Sequence, residues 1–174
     1  MIGAVRSSLR MGLLAFGLVS GAVLLSACSS AGLSTYGKSK LEVAEVTDIG
    51  DYTADRAILQ ARAHFRNANY GHSAAFYKRA AELAPKNAEA YVGLGASYDR
   101  LGRFDLADRV YSSLHKLSGG TTQYYNNLGY SQMLRGNFKD ALANFRKAQS
   151  IEPDNLVVAN NIQILRDAAA ASRA

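Results

Sequence analysis

Apolar and aromatic side chains recur at helical spacing along the second half of the chain. Tyr91, Leu94 and Tyr98 lie at i, i+3 and i+7, which places them on one face of a helix. A second set with the same spacing follows Gly102, and it consists of Ala107, Tyr111 and Leu114. Because a glycine between two amphipathic stretches can end the first helix in a left-handed turn, the pattern predicts a helical hairpin.

The hairpin pattern repeats with a period of 34 residues. Tyr91, Leu94, Gly95, Gly102, Phe104, Ala107 and Tyr111 recur as Tyr125, Leu128, Gly129, Gly136, Phe138, Ala141 and Phe145. A more degenerate copy precedes them, so three units are predicted at 54–87, 88–121 and 122–155. The apolar residues between Val157 and Leu165 predict a seventh helix that covers the last hairpin, and residues 168–174 are expected to fray.

The glycines and polar residues between the apolar positions predict how each hairpin is built. Gly95 and Gly129 fall inside helices, where glycine costs up to about 1 kcal/mol relative to alanine. We therefore expect that the second helix of each hairpin approaches these glycines too closely for a side chain. Helix N-caps are predicted at Asn87, Thr121 and Asn155, and the second helices are predicted to end at Pro85 and Pro153.

This pattern strongly resembles the tetratricopeptide repeat, whose bulky, Leu-Gly, Tyr, Gly, Ala, aromatic, Ala and Pro positions have fixed offsets. The first unit departs from it at Ala57, Ala61, His64 and Ala68, and the second has Gly119 in place of the proline. The resemblance implies an all-α fold of three tetratricopeptide helical hairpins plus a C-terminal capping helix, arranged as a right-handed superhelical solenoid.

In that family the first helices of the hairpins line a concave groove that takes a peptide or a helix. The matching positions in this sequence are Ile58, Leu59, Arg62, Phe65, Arg66, Val92, Ala96, Asp99, Arg100, Asn126, Asn127, Tyr130 and Met133. The apolar members suit an amphipathic helix, and the arginines suit acidic residues of such a ligand. The alternative is structural: Phe65 and Met133 could belong to the core, and the arginines could pair with acidic residues of the chain, namely Asp55, Asp99 or Glu89.

The carboxylate clamp that some members of the family use for chaperone C-termini is not expected here. Ile58 and Arg62 stand where that clamp has a lysine and an asparagine. The resemblance therefore implies a protein partner of another class.

The first 28 residues carry the pattern of an export signal that ends in the single cysteine. Arg6 and Arg10 precede an apolar run from Met11 to Leu24, and Leu-Ser-Ala-Cys follows at residues 25–28. This run is shorter than the roughly 17 to 25 residues that span a bilayer, although a short membrane anchor or a buried helix remains the alternative. Leu-Ser-Ala-Cys resembles the lipobox of bacterial lipoproteins, which implies cleavage after residue 27 and lipidation of Cys28.

The lipoprotein resemblance also implies a location. Two or more acyl chains on Cys28 would hold the protein stably at a membrane. Ser29 is compatible with sorting to the outer membrane of the cell envelope, in the inner leaflet facing the periplasm. Residues 28–53 then form the lipidated N-terminus and a linker, because their small and polar residues show no sustained period.

Composition excludes several other classes of function. The net charge of +6 includes Arg6 and Arg10, and the remaining basic residues are scattered among acids, so no nucleic-acid partner is predicted. The three histidines are dispersed, and no nucleophile elbow or phosphate-binding loop is present. We predict a binding module that is not an enzyme and has no catalytic residues, no metal, no cofactor and no small-molecule substrate.

Four stretches of the sequence narrow the choice of family. Residues 125–131, 134–141, 151–155 and 159–162 resemble the TadD lipoproteins of the Flp (tight adherence) pilus machinery. This resemblance implies a pilotin-like role in which the protein holds the secretin and aids assembly of its ring. Two alternatives stay open: an envelope adaptor for peptidoglycan hydrolases, as in NlpI-type lipoproteins, and a component of the outer-membrane protein assembly machinery that resembles BamD.

Overall fold

The computed structural model describes residues 52–172, which form seven α-helices and no strand. In chain order these are α1 (Ala54–Arg66), α2 (Tyr70–Leu83), α3 (Ala88–Arg100), α4 (Phe104–Ser118), α5 (Thr122–Leu134), α6 (Phe138–Ile151) and α7 (Leu156–Ala171). The predicted signal peptide, Cys28 and nearly all of the predicted linker lie outside the described residues.

The helices pack as three hairpins in a row, followed by a single helix. α1 packs on α2, α3 on α4 and α5 on α6, and α7 packs on α6 and α5. The predicted all-α fold of three hairpins plus a capping helix is confirmed. α7 extends to Ala171, into the run of residues 168–174 that was expected to fray, and this run is mostly alanine, the residue that favours helix most.

The helix ends follow the predicted capping chemistry. The side chains of Asn87, Thr121 and Asn155 accept hydrogen bonds from the free backbone N–H groups at the starts of α3, α5 and α7. Gly102 and Gly136 adopt φ values of 67° and 79° in the turns inside the second and third hairpins. Ala68 occupies the same turn of the first hairpin with φ of 58°, a conformation that is uncommon for a residue with a side chain.

The glycines inside the helices lie directly under aromatic rings. A Cβ atom at Gly95 would lie 2.8 Å from the Tyr111 ring of α4, and one at Gly129 would lie 2.7 Å from the Phe145 ring of α6. These distances are too short for a real side chain, so the expected close approach of the two helices is confirmed for the second and third hairpins.

The buried side chains form two apolar clusters, and α5 contacts both. The first cluster is built by α1 to α4, and the second by α6 and α7. Tyr124 and Leu128 of α5 pack on the first cluster, whereas Tyr125, Tyr130 and Met133 pack on the second. α5 therefore joins the third hairpin to the first two through its opposite faces.

We expect that Gly129→Ala lowers the free energy of unfolding by about 1 to 3 kcal/mol, the usual cost of inserting atoms into a packed core. The intrinsic preference of a helix for alanine, about 1 kcal/mol, acts in the opposite direction but is smaller than the cost of moving the Phe145 ring. Urea denaturation followed by circular dichroism measures the difference.

The matched control combines Gly129→Ala with Phe145→Leu, since the smaller side chain makes room for the new methyl group. In a protein that carries Phe145→Leu, the further change Gly129→Ala should lower the free energy of unfolding by less than it does in the wild type. A Gly129→Ala single variant as stable as the wild type would contradict the role assigned to this glycine.

Candidate functional site

The candidate surface consists of the solvent-facing sides of α1, α3 and α5, the first helices of the three hairpins, and we call it the first-helix surface. Leu59, Arg62 and Arg66 lie at i, i+3 and i+7 on one face of α1. All three are exposed, and Leu59 is 59% accessible to solvent. An exposed leucine beside two arginines can contact a ligand that has both apolar and acidic groups.

The predicted arginines of this surface have different surroundings. Arg62 forms an ion pair with Glu89 of α3, as the structural alternative foresaw for one of the arginines. The Arg100 guanidinium lies 4.5 Å from the centre of the Tyr70 ring, which also contacts the Phe65 ring edge to face. Arg66 has no carboxylate within 4.0 Å among residues 52–172. Arg66 is thus available to an acidic ligand.

Amide side chains dominate the part of the surface formed by α5. Gln123, Asn126 and Asn127 line a pocket of about 370 Å³ together with residues of the α6–α7 turn and the start of α7. The side chain of Asn161 in α7 donates a hydrogen bond of 2.8 Å to Asn126. Amide groups both donate and accept, so this pocket can bind the backbone of an extended or frayed peptide.

Gln123 and Asn161 were not among the site residues predicted from the sequence. Gln123 lies one repeat period after Glu89, which pairs with Arg62 of the first-helix surface. The 34-residue period is therefore the signal that could have placed Gln123 at this surface. Asn161 belongs to the capping helix, for which the sequence analysis assigned no binding role.

The remaining apolar residues of the predicted groove are half-buried. Val92 packs against the first apolar cluster, and Tyr130 and Met133 pack against the second. Ala96 is also half-buried. These side chains support the helices as well as lining the surface.

Two predicted groove residues are corrected by the structure. Ile58 is 5% exposed and belongs to the first apolar cluster, so it packs against neighbouring helices and cannot anchor a ligand. Asp99 is 1% exposed, and its carboxylate accepts hydrogen bonds within the stack. Ile58 therefore supports the core, and Asp99 joins α3 to α4 and to α5 of the next hairpin.

Asp99 is the centre of a polar connection between the second and third hairpins. Its carboxylate accepts hydrogen bonds of 2.7 Å from the Tyr111 hydroxyl of α4 and of 2.7 Å from the Ser131 hydroxyl of α5. Arg135, directly after α5, donates to the Ser131 hydroxyl and binds the exposed carboxylate of Asp108 with two hydrogen bonds of 2.9 and 2.6 Å. α3, α4 and α5 are held together by this network.

Burial raises the pKa of Asp99 from 3.8 to about 6, although the hydrogen bonds from Ser131 and Tyr111 and the nearby Arg135 act in the opposite direction. The carboxylate in turn raises the pKa of Tyr111, whose own burial is the larger cause. A strongly shifted pKa marks many catalytic groups, but this carboxyl group is enclosed by its partners. Its role is structural.

The described residues offer no other chemistry at this surface. Within residues 52–172 no group of three His, Cys, Asp or Glu side chains could hold a metal ion. In the same part of the chain, no helix is long and apolar enough to cross a membrane. The arrangement can bind another protein segment through arginine, amide and apolar contacts.

Comparison with known proteins agrees with this architecture. The family description "Tetratricopeptide repeat" matches residues 122–155 and, through a second model of the same description, residues 76–109. No curated protein matches the sequence. The chain therefore contains tetratricopeptide repeats, and its described residues form a tetratricopeptide solenoid.

Three solved structures illustrate the shared fold. The first tetratricopeptide domain of human RPAP3 is 18% identical, with a TM-score of 0.61 over 71% of this chain and 98% of that one. The TPR2B domain of yeast Sti1 in its pHsp70 complex is 20% identical, with a TM-score of 0.58 over 68% and 97%. The Yersinia enterocolitica type III secretion translocator chaperone SycD is 15% identical, with a TM-score of 0.57 over 68% and 96%.

We expect the Asp99 carboxyl group to make the stability of the protein depend on pH. Because its pKa is raised, the folded chain binds more protons than the unfolded chain between about pH 4 and pH 6. The contribution of this group to the free energy of unfolding therefore falls as the pH rises through that window, by about 2 to 3 kcal/mol in total.

Asp99→Asn is the matched variant, since it keeps the shape of the side chain and removes its titration. Urea denaturation at intervals between pH 4 and pH 7 should show that the wild type loses stability relative to Asp99→Asn as the pH rises. Parallel pH profiles of the two proteins would show that Asp99 does not titrate as proposed.

Proposed function

We propose that this protein is a lipoprotein anchored in the outer membrane that acts as a protein-interaction scaffold, with a pilotin-like role in assembling the secretin of a Flp (tight adherence) pilus or a secretion system. The observation that carries the scaffold role is the exposed first-helix surface on a tetratricopeptide stack. Leu59 and Arg66 at one end, and the amide pocket at the other, face solvent and offer contacts of different chemistry.

The structural neighbours support a protein partner. The yeast Sti1 domain was solved in a complex with pHsp70, and SycD is a translocator chaperone of a secretion system. Both use the same fold as this chain. The membrane anchor is supported by the Leu-Ser-Ala-Cys motif, and the pilus assignment by the resemblance to TadD lipoproteins.

Tethering is the physical basis of the proposed role. The first-helix surface holds a segment of the secretin, while the lipid on Cys28 confines the pair to the membrane in which the ring assembles. Confinement raises the effective concentration of the secretin subunits without any new contact between them. Assembly of the secretin ring then requires both the lipid anchor and the first-helix surface, and the loss of either one prevents it.

We expect Cys28→Ala to abolish secretin ring formation in cells, because the unlipidated protein is no longer concentrated at the membrane. Ring formation is measured by detecting the assembled multimer in membrane fractions. Ser30→Ala is the matched control and should assemble rings normally. Normal ring assembly by a soluble Cys28→Ala protein would refute the tethering.

We expect Arg66→Glu to reduce crosslinking to the partner in native membranes by about tenfold, since an attractive contact to an acidic group of the partner becomes repulsive. Arg109→Glu is the control, because Arg109 is exposed on α4, which does not belong to the first-helix surface. Mass spectrometry of the crosslinked partner identifies it. Recovery of a peptidoglycan hydrolase instead of a secretin would overturn the pilotin assignment and favour the hydrolase adaptor.

A further inference from the structure

A second open groove lies between α6 and α7, and none of the residues predicted for the first-helix surface lines it. We call it the terminal trough, and its volume is about 510 Å³. Its apolar floor is formed by Phe138, Leu142 and Ala169, which are half-buried, and its basic rim by Lys139, Arg146 and Arg166. The rim residues are exposed, whereas Ile162 and Leu165 are buried under the floor.

The repeat explains why this trough is open. α7 lies two periods after α3, so Ile162 corresponds to Leu94, Arg166 to Tyr98 and Ala169 to Leu101. α4 packs on α3, and Leu94, Tyr98 and Leu101 are at most 8% exposed. No helix among residues 52–172 packs on α7 in the way that α4 packs on α3. The trough is therefore the position of a helix that the described residues do not supply.

The lining of the trough indicates the charge of what would fill it. Every charged residue that lines it is basic. Among the described residues, Lys139, Arg146 and Arg166 have no carboxylate within 4.0 Å. Three basic side chains around an apolar floor complement a helix that has an apolar face between acidic residues.

The geometry of the trough also favours a helix over an extended peptide. Lys139, Leu142, Arg146 and Gln149 follow one face of α6 for three turns, and α7 provides the facing wall. The wall includes Ala169 and Ala170, whose small side chains allow another backbone to come close. A straight trough between two helices, in a position that a helix occupies elsewhere in the stack, fits helix-in-groove recognition.

We propose that the terminal trough is a second docking site, which binds an acidic amphipathic helix of a partner protein. The apolar face of that helix covers Phe138, Leu142 and Ala169, and its carboxylates pair with the basic rim. The terminal trough is formed by α6 and α7 alone, so this docking site does not depend on the proposed lipidation or on the first-helix surface.

The test measures binding of a synthetic peptide to the purified full-length protein by fluorescence anisotropy. The peptide is an amphipathic helix of about 18 residues, or five turns, with leucines at i, i+4, i+7 and i+11 and glutamates on both flanks. We expect saturable binding that weakens as the salt concentration rises. A peptide of the same composition with lysine in place of each glutamate should not bind.

Matched variants locate the binding site. Arg146→Glu combined with Arg166→Glu should weaken binding of the acidic peptide at least about tenfold. Lys78→Glu is the control, since Lys78 occupies the position of Arg146 two periods earlier, on α2, and should leave binding unchanged. Arg62→Glu with Arg66→Glu should also leave it unchanged, which separates this site from the first-helix surface.

A variant that leaves the charge unchanged and a hydrogen-exchange measurement examine the same site. Ala169→Leu narrows the trough without changing its charge, and we expect it to weaken binding while circular dichroism shows an intact fold. In hydrogen exchange, the peptide should protect amides of α6 and α7 and leave those of α1 and α3 unchanged.

Three results would each overturn the proposal. The first is an absence of saturable binding of the acidic peptide with Kd below about 1 mM. The second is binding of the lysine peptide with the same Kd as the acidic peptide. The third is self-association of the protein that Arg146→Glu with Arg166→Glu abolishes, since the occupant would then be a second copy of this chain.

Discussion

The stack depends on the absence of a side chain at three helical glycines. The rings of Tyr111 and Phe145 lie over Gly95 and Gly129 within the second and third hairpins, and the Tyr77 ring of α2 lies over Gly93 of α3. A Cβ at any of these positions would collide with the ring. Helices that approach this closely bury large aromatic faces, which supplies much of the apolar contact in a small solenoid.

This close packing determines which residues are available to a partner. With one side of each first helix covered by its own second helix, another side turns towards the next hairpin and a third faces solvent. Asp99 lies on the side towards the next hairpin, where Tyr111 and Ser131 enclose its carboxylate. Arg66 lies on the solvent side. First helices of the stack therefore carry both exposed residues that can contact a partner, such as Arg66 of α1, and residues such as Asp99 of α3 that join neighbouring hairpins.

The local structure was largely predictable because it depends on neighbours in sequence. The 34-residue period predicted the hairpins, the caps at Asn87, Thr121 and Asn155 predicted the starts of α3, α5 and α7, and Gly102 and Gly136 predicted the turns. The end of α7 at Ala171 was not predicted, because a run of alanines has no stop signal and favours the continuation of a helix. The prediction for the candidate site was less accurate. Ile58 and Asp99 were assigned to the surface, and Gln123 and Asn161 were missed.

By itself the sequence determined the repeat, its helices, its turns and two of the glycines that lie under rings, Gly95 and Gly129, since each of these is specified by spacing along the chain; Gly93 under the Tyr77 ring was not predicted. Only the tertiary structure decided which side of each helix meets a neighbour. It showed that Asp99 is enclosed by three helices, that Arg62 pairs with Glu89, and that the trough beside α7 is open. The physical reason is that burial and ion pairing depend on residues brought together from different hairpins, and a helical period does not encode the rotation of one hairpin against the next.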